Sequence, residues 1–146
     1  MKKGIVVISH CLAITICVTL TVYQFMYLNS KLIHISIDDV IQIFNDLTLN
    51  QDEYKSIFEN ETLNFLKKCH EKYGAEFSLY CFYNFDNVNL SECTEKFRDE
   101  FESNSNWLKF GFHAFDSKAD YSMLEKLEAK KQYDLMVEEL KRIVRS

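Results

Sequence analysis

Asp38, Asp39 and His113 are the residues of this 146-residue chain whose types and positions could do chemistry. The two adjacent carboxylates follow a short apolar run that ends at Ile37, and the imidazole closes another apolar run that begins at Trp107. A carboxylate and a neutral histidine are ordinary ligands for zinc and for harder divalent ions. A second carboxylate beside them could accept a proton from an attacking water. Metal-assisted hydrolysis is therefore one interpretation of the pattern.

Each of these residues also has a purely structural interpretation. An aspartate at the end of a strand often caps the helix that follows, which is predicted here from Val40 to Leu47. A single histidine at a strand end is more often hydrogen-bonded in a loop than bound to a metal. Spacing alone leaves both interpretations open.

The elements that must position these residues are predicted from the periodicity of the apolar residues. Three short runs rich in β-branched and aromatic residues predict buried strands: 32–37, 77–83 and 107–113. Helical spacing, with Gly74 as a terminating residue and Ser91 as an N-cap, predicts the helices between and after them: 54–73, 91–101 and 121–144. This alternation predicts an α/β fold with a parallel sheet of about three βα units. Ligands bind at the carboxyl ends of such strands, which is where Asp38, Asp39 and His113 stand.

The first 30 residues have the pattern of a membrane anchor. The stretch from Gly4 to Leu28 has no charged residue and exceeds the roughly 20 residues that span a bilayer as a helix. Lys2 and Lys3 predict a cytoplasmic N-terminus, so residues 31–146 would form an outward-facing domain on a single-pass protein. The bulky residues before Ser30 do not resemble a signal-peptidase site, which favours an uncleaved anchor; a cleaved segment would make the protein secreted.

Composition and charge exclude several classes of protein. Hydrophobic residues make up 47% of the chain, which has only three glycines and no proline, so collagen-like and low-complexity chains are excluded. Residues 31–146 carry 15 of the 17 basic residues and all 22 acidic ones, a net charge of −7. Nucleic-acid binding requires clustered basic residues, and we therefore expect no nucleic-acid partner.

Two short motifs resemble those of a known family. The segment His34-Ile35-Ser36-Ile37-Asp38-Asp39-Val40 resembles the first signature of the polysaccharide deacetylase family of carbohydrate esterases. Phe110-Gly111-Phe112-His113-Ala114 resembles the segment that carries the family's metal-binding histidine, and the resemblance spans roughly residues 33–144. It implies a distorted (β/α) barrel that hydrolyses N- or O-acetyl groups on envelope or extracellular glycan. It further implies that Asp38 is the general base and that Asp39 and His113 bind a divalent metal, zinc or a similar ion.

The sequence departs from the family pattern in two respects. Ser117 stands where the family has a second histidine, and Asp116 could substitute for that ligand. Three βα units are also too few to close a barrel, so the resemblance implies the N-terminal half of a catalytic domain. The alternative is a non-catalytic remnant or a module that binds glycan or protein, in which a partner chain covers the open sheet edge. The aromatic residues of the predicted strands could stack on sugar rings, but at this density they are more often core residues; Tyr83 and Trp107 are the two candidates for a sugar contact.

Overall fold

The computed structural model describes residues 16–22, 33–118 and 120–145. The chain divides into two compact units, Met1–Leu32 and Ile33–Ser146. In the first unit, residues 16–22 are helical and their side chains are exposed. Most of the predicted anchor, residues 1–30, lies outside the described residues. Among the helices that are described, none combines the length and the apolar character needed to cross a bilayer.

The second unit is a mixed α/β domain built on a three-stranded parallel sheet. Its strands are β1 (Ile33–Ile37), β2 (Ala75–Phe82), β3 (Asn84–Phe85), β4 (Val88–Asn89) and β5 (Leu108–Ala114). Its helices are α1 (Ile41–Leu49), α2 (Glu61–Tyr73), α3 (Arg98–Ser103) and α4 (Lys126–Ile143), with 3₁₀ turns at Ile57–Glu59 and Leu90–Glu92. The parallel sheet has the order β1-β2-β5, and β3 pairs with β4 as an antiparallel hairpin. The predicted α/β fold and its three parallel strands are confirmed.

Helices α1, α3 and α4 pack against the same face of the sheet. The rings of Phe44 in α1 and Phe101 in α3 lie 5.1 and 5.2 Å from that of Phe110 in β5. Tyr133 in α4 contacts Phe112, two residues further along the same strand, at 5.8 Å. The sheet adds its strands in chain order without a reversal, so crossovers of one hand bring successive helices to one side. The hydrophobic core lies between these helices and this face.

The opposite face of the sheet is polar. Its residues alternate with the core-facing ones along β1, β2 and β5, and they are half-buried or exposed: His34, Ser36, Glu76, Ser78, Tyr80 and Lys109. Lys109 Nζ lies 3.2 Å from Glu76 Oε2, and the ring of Tyr80 lies against Gly111. Parallel sheets normally have both faces covered. Among the described residues, helices thus cover one face of the sheet, which is unusual for parallel strands.

Three predicted helix starts need correction. The helix predicted over 121–144 begins at Lys126, and a 3₁₀ turn at Leu90–Glu92 followed by α3, which begins at Arg98, replaces the helix predicted over 91–101. The helix predicted over 54–73 is α2, which begins at Glu61 because the Asn60 side chain caps it there; its predicted end at Gly74, with φ 67°, is confirmed. The predicted N-cap at Ser91 is wrong. The Asn89 side chain accepts a hydrogen bond from the Ser91 backbone N–H at 2.9 Å, which places Ser91 inside a 3₁₀ turn.

Candidate functional site

The carboxyl edge of the sheet brings the three predicted site residues together. Asp38 and Asp39 directly follow β1, and His113 is the penultimate residue of β5. The Nε2 nitrogen of His113 lies 3.4 Å from Asp39 Oδ1, and its Nδ1 nitrogen lies 3.8 Å from Asp38 Oδ1. The side chains are 37% exposed for His113, 60% for Asp38 and 58% for Asp39, so a solute can reach all three. The sequence places these three residues at one edge of the sheet, and in the structure the ionisable atoms of the two pairs described lie within 3.8 Å of each other.

Asp39 adopts a left-handed backbone conformation. Its φ is 61°, a region that is sterically costly for side chains other than glycine and is best tolerated by Asn and Asp. The next residue, Val40, donates its backbone N–H to the Tyr80 carbonyl at 3.2 Å, which ties the turn to the central strand. Strained residues of this kind cluster at functional sites. The tied turn sets where the Asp39 carboxylate can lie.

The helix-capping interpretation of the two aspartates is wrong. Val40 occupies the N-cap position of α1, no side chain caps that helix, and no acidic residue lies in its first turn. In the part of the chain that the structure describes, the side-chain contacts of Asp38 and Asp39 are those with His113. Helix capping therefore does not account for the two carboxylates at the surface.

His113 is presented by a β-bulge. Cys81 pairs with Phe112, but the next residue, Phe82, pairs with Ala114, which leaves His113 as the extra residue. Bulges redirect side chains and are common beside active sites. The ring of Phe82 contacts the imidazole edge-on at 4.9 Å and supports one side of it. No local sequence pattern predicts this bulge, because it depends on the register between β2 and β5.

The geometry fits two ligands on one divalent ion. Ligands at about 2.0–2.1 Å from a tetrahedral zinc lie about 3.4 Å from one another, and His113 Nε2 and Asp39 Oδ1 have this separation, 3.4 Å. Asp38 faces the other ring nitrogen, so the three side chains do not converge on one point. Across the described residues, no group of three or more His, Cys, Asp or Glu side chains is arranged to hold a metal. Asp39 and His113 therefore suit a metal as a pair.

Asp116, the predicted substitute ligand, lies in the loop after β5. Its Oδ1 oxygen accepts a hydrogen bond from the Lys118 backbone N–H at 2.7 Å. Together with Ser117 it lines a cleft of about 280 Å³ whose other wall is the β3–β4 hairpin. The periodicity of the apolar residues does not predict this hairpin. The pair Asp86-Asn87, between two short segments that each contain an apolar residue, is nevertheless a turn signal.

The two aromatic residues named as candidates for a sugar contact have partners within the protein. Trp107 is only 4% exposed and its ring stacks on that of His70 at 4.5 Å, so the core interpretation holds for Trp107 and a sugar cannot stack on it. Tyr83 is half-buried and stacks on Phe115 at 4.8 Å. That stack joins the segment after β2 to the loop after β5.

The second unit thus belongs to the class of α/β proteins whose parallel strands carry polar residues at their carboxyl edge. No protein-family model, curated protein or solved structure matches the chain. The resemblance to polysaccharide deacetylases therefore stays a prediction from the two motifs.

Proposed function

We propose that the cluster of Asp38, Asp39 and His113 is the hydrolytic site of a membrane-anchored protein related to the polysaccharide deacetylases. Its reaction is the hydrolysis of acetyl groups on envelope or extracellular glycan. The observation that carries the proposal is the meeting of these side chains from β1 and β5 at the carboxyl edge. Helix capping does not explain the two carboxylates.

Each residue has a distinct part in this proposal. Asp39 and His113 would hold a divalent metal, since their Oδ1 and Nε2 atoms lie 3.4 Å apart. When bound, the metal supplies Lewis-acid polarisation of the acetyl carbonyl. Asp38 is the general base: its carboxylate takes a proton from the water that attacks the carbonyl carbon. The bond from that carbon to the sugar nitrogen or oxygen then breaks, acetate leaves, and the proton passes to the sugar.

The arrangement of layers supports the proposed relation to a half-barrel. In a (β/α) barrel, the helices lie outside and the other face of each strand points to the interior. Here α1, α3 and α4 pack on one face, which corresponds to the outer, helix-covered face of the strands of a barrel. The parallel strands of this sheet follow one another in chain order, and a (β/α) barrel requires the same order.

Acetate release from tri-N-acetylchitotriose by the full chain, measured with added Zn²⁺, Co²⁺ or Mn²⁺, tests the proposal. We expect Asp38→Asn to lower the rate by about 100-fold or more, as removal of a general base does. Asp39→Asn and His113→Gln are expected to abolish it. Asp52→Asn, a change in an exposed turn, is the matched control and should leave the rate unchanged. Absence of acetate from the wild-type chain with all three metals would refute the hydrolytic proposal.

A second candidate function, protein binding through the sheet edge, is favoured by the exposure of β1. Ile33 and Ile35 are 44% and 38% exposed, and within the described residues β2 is the sole strand that pairs with β1. The strand has no charged residue or proline that would discourage pairing. Its sequence, Ile-His-Ile-Ser-Ile, alternates symmetrically about Ile35. A second copy of the chain, paired antiparallel about Ile35, would place isoleucine opposite isoleucine, so we propose a second copy as the partner.

An Ile35→Cys variant tests this pairing. In the two-fold arrangement the two copies of residue 35 face each other at about 4.5–5.5 Å between Cα atoms, which is within disulfide range. We expect mild oxidation to convert most of the variant into a disulfide-linked dimer on a non-reducing gel. Leu135→Cys, an exposed position on α4, is the control. Equal dimer yield from the two variants would argue against pairing at β1.

A further inference from the structure

We propose that the cleft between the β3–β4 hairpin and the loop after β5 binds one sugar ring of the glycan, beside the hydrolytic site. This inference rests on the proposed function, because it assigns the position of the substrate. The cleft has a volume of about 280 Å³ and is lined by Asn84, Phe85, Asp86, Asp116, Ser117 and Lys118.

The cleft lies at the same edge of the sheet as the hydrolytic site. Its two walls follow β2 and β5, and ligands of parallel sheets bind beyond the carboxyl ends of the strands. A single aromatic ring connects the two places. Phe82 contacts the His113 imidazole at 4.9 Å and stacks on Phe85, in the cleft wall, at 5.2 Å. A ligand that contacts Phe85 in the cleft is therefore linked to His113 through one intervening ring, that of Phe82.

The chemistry of the lining suits a ligand rich in hydroxyl groups. It offers two carboxylates, one amide, one hydroxyl and one ammonium group, with the Phe85 ring as an apolar surface. Within the described part of the chain, the side chains of Asn84, Asp86 and Ser117 have no hydrogen-bond partner and are available to a ligand. Sugar hydroxyls both donate and accept hydrogen bonds, and the face of a sugar ring packs on an aromatic ring.

The volume of the cleft limits the size of the ligand that it can bind. Sites for drug-sized ligands enclose about 300–1,000 Å³, and this cleft is slightly smaller at about 280 Å³. One sugar ring, rather than an oligosaccharide, is the matching occupant. The remaining rings of a glycan chain would extend from the cleft toward His113 or into solvent.

The two walls are held together by the protein itself. The Asn84 backbone N–H donates to the Phe115 carbonyl at 2.8 Å, and the Tyr83 ring stacks on Phe115 at 4.8 Å. Asp86, at the hairpin turn, has a left-handed φ of 51° that a two-residue turn requires. The cleft is thus formed before a ligand arrives, which lowers the entropic cost of binding.

Calorimetric titration of the full chain with tri-N-acetylchitotriose tests the cleft. The titration is made on an Asp39→Asn background without added metal, so that binding is separated from hydrolysis. We expect Asp86→Gly combined with Ser117→Ala to weaken binding by about tenfold, through the loss of hydrogen bonds to the ligand. Glycine accommodates the positive φ of residue 86, so this pair of changes preserves the turn. Asp52→Asn serves as the control and should bind as tightly as the parent.

The outcomes separate the cleft from the hydrolytic site. Binding that the double change weakens, in a chain that releases no acetate with any metal, supports the cleft and refutes the hydrolytic proposal. Acetate release from the wild-type chain, together with binding that the double change leaves unaltered, refutes the cleft and retains the hydrolytic site. Absence of saturable binding to the parent also refutes the cleft.

Discussion

His113 Nε2 and Asp39 Oδ1 lie 3.4 Å apart although Asp39 follows β1 and His113 lies in β5, the two outer strands of the parallel sheet. Neighbouring strands are about 4.8 Å apart, so β1 and β5, with β2 between them, are separated by about 10 Å. The chain after β1 turns toward the central strand, since Val40, next to Asp39, donates its backbone N–H to the Tyr80 carbonyl of β2 at 3.2 Å. The left-handed turn at Asp39 and the bulge at His113 are the local features that accompany this approach.

Metal affinity follows from this pair. Two protein ligands are fewer than the three of an ordinary catalytic zinc site, so we expect zinc to bind weakly, with Kd about micromolar or higher. Equilibrium dialysis followed by elemental analysis should show at least about tenfold weaker binding in His113→Gln and in Asp39→Asn. Glu128→Gln, an exposed change on α4, is the control. Equal zinc uptake by wild type and His113→Gln would contradict a metal site at this pair.

The positive φ of Asp39 predicts that this residue lowers the free energy of unfolding while it positions its carboxylate at the site. Asp39→Gly should raise the free energy of unfolding by about 0.5–1 kcal/mol, because glycine adopts a φ of 61° without steric cost. Asp38→Gly is the matched control. Residue 38 lacks a positive φ, so glycine there should lower stability by a similar amount. Urea titration of the full chain compares the two variants; a loss of stability in both would contradict strain at Asp39.

Gly111 allows the ring of Tyr80 to lie on the sheet. A Cβ atom at residue 111 would come within 2.8 Å of Tyr80 Cε1 and 2.9 Å of Cδ1. Gly111→Ala should therefore lower the free energy of unfolding by about 1–3 kcal/mol, the usual cost of overpacking. In a double-mutant cycle measured by urea titration, Gly111→Ala should lower the free energy of unfolding by less on a Tyr80→Ala background, because the clashing ring is absent. Equal costs on the two backgrounds would show that this contact is not the cause.

Burial of Cys81 predicts a dependence of stability on alkaline pH. Burial raises the pKa of the Cys81 thiol to about 12, above its value of 9.0 without burial. The raised pKa contributes stability that is present below pH 9 and is lost as pH rises from 9 toward 12, because the unfolded chain ionises first. The loss is about 1.4 kcal/mol per pH unit for one group. Urea titrations at pH 8–10.5 should show a shallower decline in Cys81→Ala; identical slopes would contradict this origin.

Several parts of the fold could be predicted because they depend on neighbouring residues. The apolar run before Asp38 predicts β1 within one residue, and Gly74 predicts the end of α2 because glycine adopts the left-handed region without cost. The prediction at Ser91 fails for a local reason too. Asn89, two residues earlier, is an equally good capping residue, and its side chain accepts the hydrogen bond from the Ser91 backbone N–H. Sequence alone does not rank two capping residues of similar strength that lie two positions apart.

By itself, the sequence determined the alternation of strands and helices and placed Asp38, Asp39 and His113 at strand ends, since local periodicity and turn residues depend on adjacent positions. Only the tertiary structure decided that these side chains meet, that neither aspartate caps α1, and that Trp107 is buried. The reason is that the meeting depends on strand order and on the register between β2 and β5. Hydrogen bonds and packing between residues distant in the chain set both, and no local pattern records them.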